Sequence, residues 1–194
     1  FAPRPAPLQQ GRVIFPAARQ ALIDYQPRDP LEQGFRQRML ALLEASAPTS
    51  RAHFVPGHLT ASGFVLSPER DAVLLIFHKK LGIWVQPGGH IEAADTSLEA
   101  AERRELAEEV GLTLPANSAA KIFDLDIHAI PARKDEPAHE HFDVRYCFQA
   151  PTRDFVQSDE VADARWAELS KIDQLTSDES VLRAVRKLAS ADQH

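Results

Sequence analysis

Apolar residues recur at helical spacing early in the chain, alternate with polar ones through the middle, and return to helical spacing at the end. Leu31, Phe35, Met39, Leu42 and Leu43 share one face of a helix expected from about Pro30 to Ala45. Asp29 is its N-cap, Pro30 takes the first helical position and Pro48 ends it. A shorter helix is expected over Ala17 to Tyr25, stopped before Pro27. Residues 1 to about 16, with Pro3, Pro5, Pro7 and Pro16, read as a flexible or extended arm. Residues 1–50 thus form an arm and helical extension, and residues 51–194 the main domain. The apolar stripe of the extension must pack on that domain or on a second subunit, so a homodimer is among the expected partners.

The pattern changes after Ser50. His58 to Leu66 and Ala72 to His78 read as strands joined through Ser67 to Asp71. Ile83 to Val85 is a short apolar piece leading into Pro87-Gly88-Gly89. Phe123, Leu125, Ile127 and Ala129 alternate with Asp124, Asp126, His128 and Ile130, the signature of a half-buried strand. His139 to Phe148 is another strand, and Val161 to Leu169, with Trp166, the last. Thr176 and Glu179 have capping-box spacing ahead of Val181, Leu182, Val185 and Leu188, the apolar face of a final helix. Strands, one helix, more strands and a last helix imply an α/β chain with a mixed sheet between helices.

The most informative stretch lies between the two groups of strands. Gly88-Gly89-His90-Ile91-Glu92-Ala93-Ala94-Asp95 is a glycine-rich loop. Thr96 and Glu99 form a capping box that should start a helix over Ser97 to Val110, and Gly111 is the left-handed stop. Glu105, Glu108 and Glu109 fall on one face of that helix, with Glu102 at its margin. Carboxylates so close repel one another, and a hard divalent cation with oxygen ligands, Mg²⁺ above all, would offset the repulsion.

These residues resemble the signature of the Nudix hydrolases, here in the form G-x5-D-x8-R-E-L-x-E-E-x-G-L over residues 89–112. Arg104 to Leu112 match fully. Asp95 stands where the family usually has Glu, and eight residues rather than seven separate it from Arg104. Some coenzyme-A-type members carry a similar Asp at the same spacing. The resemblance implies an α/β/α sandwich over roughly residues 52 to 190. It implies that Glu105, Glu108 and Glu109 bind catalytic metal, Mg²⁺ with Mn²⁺ as a substitute. Glu105 is either a ligand or the group that helps deprotonate the water. The Gly89 carbonyl is a further candidate ligand, and Glu160, ahead of the Val161 strand, is the candidate acid from a later loop. Gly88 and Gly89 let backbone approach metal and phosphate without a Cβ in the way. Arg104 is expected to point away from the acidic face and to brace the loop through Asp95 or Glu105.

A second cluster follows. Strand alternation puts His139, His141, Asp143 and Arg145 on one face, with His128 adjoining from the preceding strand. Imidazoles and a carboxylate suit a metal, and an arginine suits a phosphate. His139, His141, Arg145 and His90 are therefore the candidate substrate-binding residues, against a structural hydrogen-bonded sheet face. Trp84 and Trp166 read as core aromatics, and Cys147 as a small buried apolar residue.

Composition narrows the partners. The 194 residues are 44% hydrophobic and 26% charged, with a net charge of −6. No basic stripe is evident, so broad nucleic-acid binding is not expected, while a metal can still supply charge for a nucleotide. No apolar run approaches the ~20 residues of a membrane span. Arg4, Arg12 and Arg19 occur without the apolar core of a secretory signal. The single cysteine excludes an internal disulfide, and a cytoplasmic location is expected. The resulting expectation is a Mg²⁺-dependent hydrolase of a nucleoside diphosphate linked to another group. A noncatalytic nucleotide-sensing domain is the alternative, followed by an isoprenyl-diphosphate-isomerase-like enzyme, which would need a catalytic cysteine.

Overall fold

A ten-residue strand, β1 (Gly57–Leu66), is the hub of the architecture. The structure is a computed structural model describing residues 11–44, 48–115, 120–176 and 178–191. The helices before the hub are α1 (Gly11–Asp24) and α2 (Pro30–Leu42). After it come β2 (Ala72–His78), β3 (Ile83–Val85), β4 (Gly88–His90) and α3 (Leu98–Val110). Then follow β5 (Ile122–Ile130), β6 (His139–Gln149), β7 (Asp163–Glu168), a 3-10 helix over Leu169–Gln174, and α4 (Glu179–Ala191).

Among the described residues seven strands make one mixed sheet. β1 runs parallel to β6 along its whole length, from Gly57 beside Glu140 to Leu66 beside Gln149. Its other edge is shared: β2 pairs near Leu66, and β4 pairs over Thr60 to Ser62, both antiparallel. β3 and β7 flank β2, and β5 flanks β6, again antiparallel.

Every position of β1 is buried, because both faces of the sheet are covered. Leu59, Ala61 and Val65 face one way and join Leu98, Leu106 and Val110 of α3 in one apolar cluster. Phe64 and Leu66 face the other way and join Val181, Val185 and Leu188 of α4. The resulting helix–sheet–helix layering is the α/β/α sandwich expected of the chain. Leu22, Tyr25, Met39 and Leu42 of α1 and α2 enter the first cluster with Phe35 and Leu43 packed against it, so the N-terminal stripe packs within the chain except for Leu31, which is exposed. None of the described helices is long and apolar enough to cross a membrane.

Several local expectations shift. Helix α1 starts at Gly11, ahead of Ala17, and carries Pro16 inside it. The proline sits just past the first turn, where it removes a single amide hydrogen bond. The first ten residues of the expected arm lie outside the described residues. Helix α2 ends at Leu42, short of Ala45. The α3 N-cap is Ser97, whose side chain accepts from the Ala100 N–H at 3.0 Å, not Thr96. Glu99 instead holds Arg103, one turn on, at 2.9 Å. At α4 the Asp178 carboxylate takes the Ser180 and Val181 N–H groups. Thr176 is left to donate to the Trp84 carbonyl. In both cases a side-chain acceptor nearer the first turn wins over the box read from spacing. The last strand is shorter than expected, because Leu169 opens the 3-10 helix.

Candidate active site

The glycine-rich loop is not irregular. Gly88 to His90 form β4, which locks the loop to the middle of β1. Gly88 has φ +146, and a Cβ there would lie 2.4 Å from that of Ser62. Only glycine fits so close to the neighbouring strand in that conformation. The Gly88 N–H then donates to Glu109 Oε2 at 3.1 Å, tying the loop to the far end of α3. Gly111, at φ 60, closes the helix as expected and returns its N–H to the Ala107 carbonyl.

Arg104 makes the second tie. Its Nε and one Nη hold both Asp95 oxygens at 3.1 and 3.0 Å, and the same Nη donates to the His90 carbonyl at 2.8 Å. The Asp95–Arg104 brace therefore forms despite the shorter acid and the longer spacing. Asp95 itself accepts from the Glu92 N–H, which closes the turn. The other Nη reaches Glu105 at 3.0 Å and Glu108 at 2.8 Å. Arg104 thus does not point away from the acidic face; it lies along it. Asp95 first, then Glu105 and Glu108, raise its hold on its proton.

Burial dominates the electrostatics of the acids. Burial pushes the Glu109 carboxyl up to about 8, against the pull of the Gly88 N–H and helped by Glu105, Glu160 and Glu108. Burial also raises Glu105, and it raises Glu102 far above the ordinary range. Neither Glu102 oxygen has a hydrogen-bond partner among the described residues, so burial favours the neutral form of this residue at the margin of the acidic face. Gly89 leaves a cradle: a Cβ there would lie 2.6 Å from Glu105 Oε1.

These shifts fix a pH dependence. A folded value of about 8 against an ordinary 4.5 means protonated Glu109 stabilises the metal-free fold. That contribution is complete below 4.5 and is lost as pH rises through about 8. Glu105 and Glu102 act in the same direction. Burial lowers His90 from 6.5 to about 4 and His141 to about 2, and these act oppositely but only up to 6.5. Between pH 6.5 and 8 the carboxyl groups govern. Urea midpoints in EDTA should fall over that interval, and Glu109→Gln should lessen the slope. A midpoint that rises there would contradict the buried setting of Glu109.

The expected face of β6 is present, but its members divide. Asp143 accepts from Thr60 at 3.1 Å, Ser62 at 2.7 Å and Arg145 Nε at 2.9 Å. Arg145 is 1% exposed. Its remaining N–H groups go to Asp124 and Ser180, with Asp126 at 3.2 Å. The expected phosphate grip by Arg145 is therefore replaced by a structural ion network, because its donors are already taken. His139 and His141 lie with His90 and His128 in a set of neighbouring rings. A fifth ring of that set, His58, carries no signal of its own in the sequence. Parallel register puts it directly beside His141, and its ring lies 4.8 Å from that of His141. Its strand parity with Thr60 and Ser62 was the available signal.

A cavity of about 870 Å³ gathers these groups. Gly88, Gly89, Glu105, Glu108 and Glu160 line it together with His90, His128, His139 and His141. Arg51, Lys80 and Arg133 add positive charge to its walls. Glu109 touches it through Gly88, and Cys147, on β6, is not among its lining. Trp84 and Trp166 pack partly buried against the two apolar clusters.

Comparison with known proteins agrees with this architecture. A family model described as the NUDIX domain matches residues 56–188. Among solved structures, the chain is similar to the NUDIX domain of Shewanella oneidensis NrtR complexed with ADP ribose. The identity is 22% over 80% of this chain and 97% of that one, with a TM-score of 0.55. The E. coli dihydroneopterin triphosphate pyrophosphohydrolase is 17% identical over 66% and 92%, with a TM-score of 0.53. The C. elegans Ap4A hydrolase in a binary complex is 17% identical over 68% and 95%, with a TM-score of 0.52. At these identities the likeness is one of fold. No curated protein sequence matches the chain.

Proposed function

The chain belongs to the NUDIX domain family, and from that premise we propose that it is a metal-dependent pyrophosphohydrolase. Its substrate on this reading is a nucleoside diphosphate linked to a further group, and the bond cleaved is the phosphoanhydride. The observation that carries the reading is the clasp of Gly88 and Arg104 around Glu105, Glu108 and Glu109 at the wall of the cavity. Carboxylates whose proton affinity burial has raised are stabilised as anions by a cation, and oxygen ligands favour Mg²⁺, with Mn²⁺ as a substitute. Glu105, Glu108 and Glu109 would hold it, with the Gly89 carbonyl and Glu160 as further ligands. Such an ion supplies Lewis-acid charge that activates water and neutralises phosphate oxygens.

The remaining roles follow from the side chains. Arg104 keeps Glu105 and Glu108 in place and holds the His90 carbonyl, so it positions both loop and acids. Glu105 lines the cavity and binds a proton more readily than a free carboxylate, so in place of ligating the ion it is also suited to take a proton from the attacking water. Arg51, Lys80 and Arg133 offer charge to an anionic substrate. Three structural relatives carry names or ligands of nucleotide or pterin phosphate type, which supports a compound of that class. The position of Cys147 away from the cavity lining speaks against an isomerase that works through a cysteine.

The test is a panel of nucleotide sugars, dinucleoside polyphosphates, coenzyme A and nucleoside triphosphates with Mg²⁺ or Mn²⁺. Phosphatase coupling reveals new monoesters. Turnover concentrated on one class and silenced by EDTA is the expected result. Ligand binding by thermal shift without turnover of any compound would replace this reading with a sensing domain.

A further inference from the structure

The imidazoles in the cavity have no part in the carboxylate chemistry just described. His58, His90 and His141 come from three different strands, β1, β4 and β6. Their ligand nitrogens all lie within 4.8 Å of one another. In a tetrahedral site with metal–nitrogen bonds of 2.0–2.1 Å, ligand nitrogens sit roughly 3.3 Å apart. Small side-chain rotations, each of about 1.5 Å or less, would close the set. Ladder register fixes the backbones beneath them, since His58 pairs with His141 and His90 with Thr60, two residues along β1.

The decisive atom is His58 Nε2. His58 is 1% exposed, and its Nδ1 lies 3.1 Å from the His53 carbonyl. A carbonyl only accepts, so Nδ1 carries the proton and Nε2 presents a lone pair. That Nε2 is buried and has no hydrogen-bond partner among the described residues. A buried polar atom left so is costly, and an unmade bond of this kind calls for an ion or other group. The Nδ1-to-carbonyl bond is also the arrangement that orients an imidazole for ligation through its other nitrogen. His139 repeats it: its Nδ1 donates to Pro137 O at 2.8 Å, so its Nε2 accepts from His141 Nε2 at 3.3 Å, which steadies that ring and turns the lone pair of His141 to Nδ1.

We propose that His58, His90 and His141 form a second metal site, for a borderline-soft divalent ion of the Zn²⁺ class, separate from the carboxylate site on α3. Three imidazoles select Zn²⁺ or Co²⁺ over Mg²⁺, whereas Glu105, Glu108 and Glu109 have the opposite preference. His90 and His141 line the cavity and His58 lies behind them, so the fourth position opens into the cavity. Three protein ligands with an open position admit water or an anionic oxygen of a cavity ligand. The inference does not rest on the hydrolase reading, because it draws on none of the acidic residues.

The test is Co²⁺ and Zn²⁺ titration of the full chain with Mg²⁺ in excess, followed by cobalt absorption and by competition with a chromophoric chelator. One equivalent bound with a tetrahedral cobalt spectrum is expected. H58Q and H141Q, each checked for native circular dichroism, should weaken it at least about 100-fold. E108Q and E109Q should retain it. No saturable binding in the wild type would overturn the proposal. So would binding that survives H58Q and H141Q but disappears in E108Q or E109Q, since the ion would then sit among the carboxylates.

Discussion

Replacing Glu109 with Gln should abolish most turnover while leaving the fold intact. The amide keeps the shape and an oxygen that can accept the Gly88 N–H, now 3.1 Å from Oε2. What it removes is the negative charge. In the metal-free protein that charge is mostly absent near neutral pH, because burial holds the carboxyl at about 8. The variant should therefore match the wild type in circular dichroism, and with EDTA near pH 7 its urea midpoint should be no lower, because the neutral amide escapes the proton uptake that folding imposes on Glu109. With Mg²⁺ present the two should part: the wild type gains stability by ion binding and the variant gains less. Loss of one preorganised electrostatic group typically costs on the order of 10²–10³-fold in rate, and kcat/KM on the best substrate should fall by about that much. Wild-type activity of Glu109→Gln at saturating Mg²⁺ would refute the assignment of Glu109 to the metal.

The largest effect on stability should come from Asp124→Ala. Asp124 is fully buried and sits among three cations from two elements. Arg183 reaches it at 2.8 and 2.9 Å, and Arg145 and Lys187 at 3.2 Å. Lys187 also binds Glu32, the first-turn acid of α2, and donates to Tyr25 at 2.6 Å. Burial pushes Glu32 up, but Lys187 and the Arg28 N–H outweigh it and hold Glu32 down at about 2. The network thereby ties the N-terminal helices to β5, β6 and α4. Removing its central anion strands buried positive charge, and breaking such a set from one side costs about 3–5 kcal/mol. The exposed Arg186–Glu179 pair gives the contrast, since its removal should cost no more than about 1 kcal/mol. Urea unfolding of Asp124→Ala and Arg186→Ala measures both. A loss below about 1 kcal/mol for Asp124→Ala would mean the cations find other partners or water.

Much of the site was legible because it is local. Asp95, Arg104 and Gly111 lie within one loop and one helix, where spacing sets most of which side chains meet, although it did not show that Arg104 lies along the acidic face and reaches Glu108. The strand pattern was legible for a similar reason, since alternation follows from the pleat. Spacing points to Thr96 and the structure to Ser97 because adjacent hydroxyls compete, and spacing does not say which one faces the free N–H groups.

Arg145 and His58 mark where locality ends. Sequence placed Arg145 correctly on the face of β6, but its anions Asp124 and Asp126 come from β5, and Ser180 from α4. Whether an arginine binds substrate or structure depends on which carboxylates reach it first, and only the antiparallel register of β5 with β6 decides that. His58 stands 83 residues before His141, and only their parallel pairing makes them neighbours. The sequence by itself determined the elements, the acidic helix and its braced loop, because those follow from backbone periodicity and short-range spacing. Tertiary structure alone decided which polar side chains are satisfied and which, like His58 Nε2, are left open, because hydrogen bonding among strands depends on register between segments far apart in the chain.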